Sequence, residues 1–232
     1  YECTEESELI NPVWDYSINK VKCEEKLKEL CEKNNLIYTI VRPAVTYGNT
    51  RIPYGITPPY GYHGTLIHRM LSKKPIILWD DGEAYSTITH VEDFAYGLVG
   101  IIGNVEAYNQ VYHIVGDERV QWKKVIELMG EILGVTPITL SVSKEKLAEE
   151  IPSRKGEILG GRGINQLLDN TKIKKTVKGF GTRISLKDGM TRTIEYYKDN
   201  KYLKGIDYGF DGDWDRIVKK NMSRESHTTI FI

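Results

Sequence analysis

Leu36-Ile37-Tyr38-Thr39-Ile40-Val41-Arg42-Pro43-Ala44-Val45-Thr46-Tyr47-Gly48 reads as a strand running into a break. Its first half, 36–41, is apolar and β-rich, as in a strand buried on both faces. Pro43 and Gly48 then interrupt it. Upstream, a charged stretch reaching about Asn34 places Ile18, Val21, Leu27, Leu30 and Cys31 at helical spacing. A helix feeding a buried strand predicts an α/β fold with a mostly parallel sheet. In such sheets ligands bind beyond the carboxyl ends of the strands, which here is the Arg42–Gly48 exit.

The helix opens with Trp14-Asp15-Tyr16-Ser17-Ile18-Asn19-Lys20. Tyr16 and Lys20, four residues apart, stack on one helix face. A phenol beside an ammonium is easier to ionise and suits proton exchange with a substrate hydroxyl. The spacing alone is weak evidence, because Tyr197 and Lys201 repeat it in a polar C-terminal stretch. Context separates the two pairs: only the first is followed by a buried strand and its break.

Further along, 49–62 is rich in Pro, Gly and Tyr and reads as a long loop of the kind that carries function. Helices are expected over 63–71, 91–102, 121–133, 186–199 and 214–220. Strands are expected over 75–79, 84–89, 111–115 and 137–142, with Asp80-Asp81-Gly82 as a turn. The segment 151–163 reads as an irregular basic, glycine-rich loop. No internal repeat is evident.

Three segments in order resemble the extended short-chain dehydrogenases/reductases, the NAD-dependent epimerase/dehydratases of nucleotide sugars. They are Tyr16-x-x-x-Lys20, then Arg42-Pro43-x-x-x-Tyr47-Gly48, then Thr89-His90-Val91-Glu92-Asp93-Phe94-Ala95. Val111-Tyr112-His113-Ile114-Val115-Gly116, Asp169-Asn170-Thr171-Lys172 and Ser185-Leu186-Lys187-Asp188-Gly189 are similar to later elements of that family.

The resemblance implies part of a Rossmann-like, doubly wound parallel sheet plus a smaller C-terminal substrate domain. It assigns 1–48 and 84–116 to the dinucleotide-binding domain, and 49–83 and 117–232 to substrate binding. It makes Tyr16 and Lys20 catalytic, with Lys20 also reaching the nicotinamide ribose. Tyr16, Lys20, Pro43, Ala44 and Val45 become cofactor-binding, the cofactor being NAD, or NADP. Thr46, Tyr47 and Arg154 become substrate-binding, with Arg154 on the diphosphate as its planar guanidinium suits. The implied activity is epimerisation, or alternatively dehydration, of a nucleotide sugar by a homodimer.

The sequence also departs from the family. No glycine-rich turn follows a first strand, and Gly160-Gly161-Arg162-Gly163 lies late without a preceding strand. Thr4 and Ser7 stand too close to Tyr16 for the family's upstream hydroxyl. Ser86 stands near the position of a diphosphate-binding Arg. The chain begins at Tyr1, so it is expected to be the C-terminal part of a longer protein. The alternative readings are an inactive C-terminal fragment and a non-catalytic nucleotide- or partner-binding member of the same fold.

Thirty-two basic and thirty-two acidic residues in 232 leave no net charge, which argues against electrostatic capture of nucleic acid or membranes. No apolar run is long enough to span a bilayer. Three cysteines form neither a disulfide framework nor a metal pattern, and a reduced, cytoplasmic protein is expected.

Overall fold

The computed structural model describes residues 2–225. Helix α1, Asp15–Asn34, stops where Asn35 turns left-handed at φ 52° and its N–H closes on the Cys31 and Glu32 carbonyls. The Leu36 N–H also bonds the Cys31 carbonyl. This turn shifts the expected 36–41 strand: β1 is Thr39–Arg42, and Leu36 and Ile37 lie outside it, 61% and 59% exposed.

There follow β2 (Val45–Tyr47), α2 (Gly64–Leu71), β3 (Ile76–Trp79), β4 (Tyr85–His90), α3 (Val91–Ile101) and β5 (Gln110–His113). The second half holds β6 (Arg119–Gln121), α4 (Trp122–Leu133), β7 (Thr139–Val142), α5 (Lys144–Glu150) and α6 (Lys155–Glu157). Helix α6 runs into a π-helical turn, Ile158–Arg162, before α7 (Thr171–Thr176), α8 (Leu186–Asp199) and α9 (Tyr208–Glu225).

Three pairings are parallel: β1 with β5, β2 with β4, and β3 with β7. Strand β6 adds antiparallel to β4. This is a mixed α/β architecture with parallel sheets. Most expected elements are present, but β2, β6, α5 and α7 were not anticipated, and α9 is longer than the expected 214–220. The 151–163 segment is no irregular loop; it coils through consecutive helical turns.

Apolar side chains gather in two clusters. The larger includes Val45, Ile77, Trp79, Ile88, Trp122 and Met190, between the β2–β4 and β3–β7 pairs and the helices against them. The smaller joins Tyr112 and Ile114 of the β5 region to Ile101, Ile173, Val177 and Phe180, with α7 packed on β5 and α3 on α7.

Long-range ion pairing fastens α9 to the larger cluster. Arg69, with no exposed side-chain surface, contacts Asp211 at 2.6 Å and Asp215 at 2.8 Å, and donates to the Pro75 carbonyl. Removing one partner of such a buried pair costs about 3–5 kcal/mol.

The 49–62 segment has no regular structure, yet Ile52, Tyr54 and Ile56 are each at most 1% exposed. Tyr54 donates to the Ile77 carbonyl at 2.6 Å. The Ile52 N–H donates to His63 Nδ1 at 2.9 Å. Burial in this fold, with Arg51 nearby, holds His63 neutral, its pKa lowered to about 4. The loop is thus a fixed wall, and it carries Arg51.

Candidate active site

Two turns far apart in sequence meet at the start of α1. One is the α1 entry itself, residues 13–16. The other is Pro152, Ser153, Lys155, Gly156 and Glu157. Between them lies a cavity of about 600 Å³. Tyr16, on the first turn of α1, is 56% exposed and lines it. Lys20 Nζ sits 5.4 Å from the centre of the Tyr16 ring, the one-turn stacking that the spacing predicts.

The opposite wall leads into a cluster of cations. Glu157 stands 3.9 Å from Arg154 and 3.6 Å from Arg162. Arg154 also donates to the Thr57 carbonyl at 2.7 Å, and its guanidinium lies over the Phe210 ring. Arg51 donates to the Thr46 carbonyl at 3.0 Å.

The Arg162 side chain is mostly buried. It bonds Gln166 Oε1 at 3.3 Å, and its Nε faces Glu157 Oε1 at 3.6 Å, beyond hydrogen-bond length. Burial pushes the Arg162 pKa down and Glu157 opposes the shift; Arg51 adds to the lowering, and the Tyr16 phenol is close enough to be felt. Three guanidinium groups gathered around the Glu157 carboxylate suit an anion with several oxygens.

The other residues singled out in the sequence occupy different settings. Pro43 is exposed and Ala44 half-buried at the carboxyl end of β1, while Val45 is buried in β2. Arg42 pairs with Glu24 of α1 at 2.7 Å, tying that strand exit to the helix bearing Tyr16. Thr46 is half-buried, and its Oγ1 has no hydrogen-bond partner.

Tyr47 lies in the core rather than on an open wall. It is 2% exposed, edge-on to His90 with centroids 5.2 Å apart, and its hydroxyl donates to the Ser185 carbonyl at 3.5 Å. Burial, reinforced by Glu118 and Asp93, pushes its pKa well up. Asp93 accepts the Arg183 and Ile184 N–H groups, each at 3.1 Å, which is a structural role.

Arg162, Glu157 and Trp14 were missed by sequence reasoning as members of this site. The available signal was the close spacing of Gly156, Gly160 and Gly161 around charged residues, which makes a smooth surface for a large ring. A Cβ at Gly161 would stand 2.9 Å from Trp14 Cζ3, and one at Gly156 would stand 2.8 Å from Trp14 Cδ1.

Residues 1–115 match the family model described as the NAD dependent epimerase/dehydratase family. The chain is 27% identical over 191 residues to the uncharacterized UDP-glucose epimerase YtcB of Bacillus subtilis (strain 168), covering 82% of this chain and 54% of that protein. Among solved structures it resembles a UDP-glucuronic acid 4-epimerase from Bacillus cereus in complex with UDP-glucuronic acid and NAD. That match has a TM-score of 0.69 at 20% identity, over 86% of this chain and 57% of the other. It also resembles a dTDP-glucose 4,6-dehydratase from Streptomyces venezuelae with NAD and TYD bound, with a TM-score of 0.68 at 21% identity. The overlap is 87% of this chain and 56% of that one. The chain therefore spans little more than half the length of these relatives. Among the described residues, no helix is long and apolar enough to cross a membrane.

Proposed function

Because this chain belongs to the NAD-dependent epimerase/dehydratase family, we propose that it carries the proton-transfer and substrate-anchoring portion of an enzyme acting on a nucleotide sugar. The observation that carries this reading is the placement of Tyr16, with Lys20 over its ring, on a cavity whose far wall leads to Arg154 and Arg162.

Tyr16 exchanges a proton with a sugar hydroxyl, and the adjacent Lys20 ammonium stabilises the phenolate while it exists. Arg154 and Arg162 hold the diphosphate, which anchors the substrate away from the reacting carbon. Epimerisation is the favoured outcome, with UDP-glucose as the first substrate to test.

NAD supplies the two-electron acceptor when bound. The residues offered to its nicotinamide end are Tyr16, Lys20 and the Pro43-Ala44-Val45 exit. They fit that role: Pro43 is exposed at the carboxyl end of a parallel strand, where an α/β sheet receives ligands. In this reading 1–48 and 84–116 belong to the dinucleotide-binding unit, and 49–83 and 117–232 to the substrate unit. The assembly is a homodimer in the cytoplasm.

The test uses a protein spanning the full length of the relatives, incubated with NAD and UDP-glucose, with the sugar products separated and identified. A C4 epimer is expected. NAD binding without product from any of a panel of UDP- and dTDP-sugars would instead favour a non-catalytic binding role. Titration with UDP adds a second arm: Arg162→Gln should weaken binding about tenfold or more, as loss of a charge-assisted contact to phosphate does. Unchanged affinity would remove the arginines from the substrate site.

A further inference from the structure

Resting on the proton-transfer reading above, we propose that Trp14 is a positioning residue, its indole seated on the glycine face of the 155–162 turns so as to set Tyr16 against the cavity and in register with Arg162.

Helix α1 has no side-chain N-cap: Trp14 occupies the capping position and makes no capping hydrogen bond. The usual device for fixing a first turn is therefore absent at the turn that carries Tyr16. A half-exposed tyrosine on such a turn would sample several rotamers. Proton transfer, by contrast, depends strongly on the position of the reacting group.

The indole replaces the missing cap with a long-range contact. Cβ atoms built on Gly156, Gly160 and Gly161 would approach Trp14 atoms to 2.8, 3.1 and 2.9 Å. Gly156 and Gly161 are therefore kept clear for the ring, and Gly160 for Asn11 Oδ1 and the Trp14 Cβ. Asn11 completes the clasp: its Nδ2 donates to the Gly160 carbonyl at 2.6 Å, and its Oδ1 accepts the Trp14 N–H at 3.2 Å. The Trp14 and Tyr16 ring centroids are 5.0 Å apart.

The platform is itself immobilised. The carbonyl of Arg162, which ends the π-helical turn, accepts both the Trp79 and the Trp122 indole N–H, at 2.8 and 2.9 Å. Both tryptophans are core residues, at most 1% exposed. One turn therefore bears Arg162 on its end and Trp14 on its glycine face, so the phenol and the guanidinium share a single rigid support. π-turns of this kind recur at functional sites.

The test places 3-fluorotyrosine at position 16 of this chain and follows its fluorine resonance. The wild-type signal should be sharp and displaced from that of the free amino acid by the neighbouring indole. Trp14→Ala removes that indole, so its shift alone is ambiguous. Gly161→Ala is the decisive variant, because it keeps Trp14 and unseats it. It should move the resonance towards the free position and broaden it, and Trp14→Phe should recover part of the displacement.

In the full-length protein, Trp14→Ala and Gly161→Ala should lower kcat about tenfold or more with KM changed less than about twofold, as misplacing a reacting group does. A fluorine signal unmoved in Gly161→Ala overturns the proposal, as does an unchanged kcat in that variant. A signal that moves as expected in Gly161→Ala, with no turnover by the full-length wild type, keeps Trp14's hold on Tyr16 and rejects the enzyme reading instead.

Discussion

Two Tyr-x-x-x-Lys pairs with identical spacing lie in this chain, and they are opposites in three dimensions. Tyr16 stands in the first turn of α1, 56% exposed, with the Lys20 ammonium above its ring. Tyr197 is fully buried in α8 and donates to the Thr50 carbonyl at 2.8 Å. Helix α8 ends at Asp199, and Lys201 lies beyond it in a left-handed turn, φ 48°. Four residues make one helical turn only where the helix continues through both of them. The first pair brings phenol and ammonium together on one exposed helix face. The second is a core tyrosine followed by a surface lysine.

The largest expected effect lies at the first pair. In the full-length protein, Tyr16→Phe should cut turnover by about 10²-fold or more while NAD affinity, measured by titration calorimetry, stays nearly unchanged. Turnover within a few-fold of wild type would erase the distinction. Lys20→Met should weaken both NAD binding and turnover, by about tenfold, as loss of a charge-assisted contact does; unchanged binding would make Lys20 a surface lysine like its counterpart.

At the second pair the cost should fall on stability. Tyr197→Phe leaves the Thr50 carbonyl without its donor and should destabilise the fold by about 1–2 kcal/mol in urea unfolding, with turnover retained. Burial raises the Tyr197 pKa from 10.0 to about 12. The folded state therefore prefers the neutral phenol. That preference is fully present below pH 10 and is lost as the pH climbs towards 12. Wild type should lose stability across this alkaline window, and Tyr197→Phe should lose less of it. Equal losses would show that another group is responsible. The smallest effect belongs to Lys201→Met, expected within about 0.5 kcal/mol of wild type and neutral for turnover.

The sequence distinguished these pairs by what followed them, and that was sound because the strand and its break are local signals. The α/β order, the α1 helix and the placement of α3, α4 and α8 were equally legible, since each is set by apolar periodicity within one segment. The 151–163 segment was not. Its turns pack against Trp14, about 140 residues away in the chain, and bond two core indoles, so no window of sequence contains their surroundings. The same limit hid Arg162, whose neighbours in the sequence are glycines and whose neighbours in space are Glu157 and Arg51. Tyr47 shows the converse: its motif pointed to an open site, yet strand alternation in β2 turns it into the core beside Val45.

The two indoles that share the Arg162 carbonyl have an optical consequence. Their rings lie 5.8 Å apart and are inclined at 51°. Two such chromophores in a fixed skew couple their electronic transitions and produce a circular-dichroism couplet whose sign follows the handedness of the skew. Core packing and the shared Arg162 oxygen together hold that skew. Detachment of the 155–162 turns removes the oxygen and should alter the couplet even while the helical signal of the rest of the chain persists.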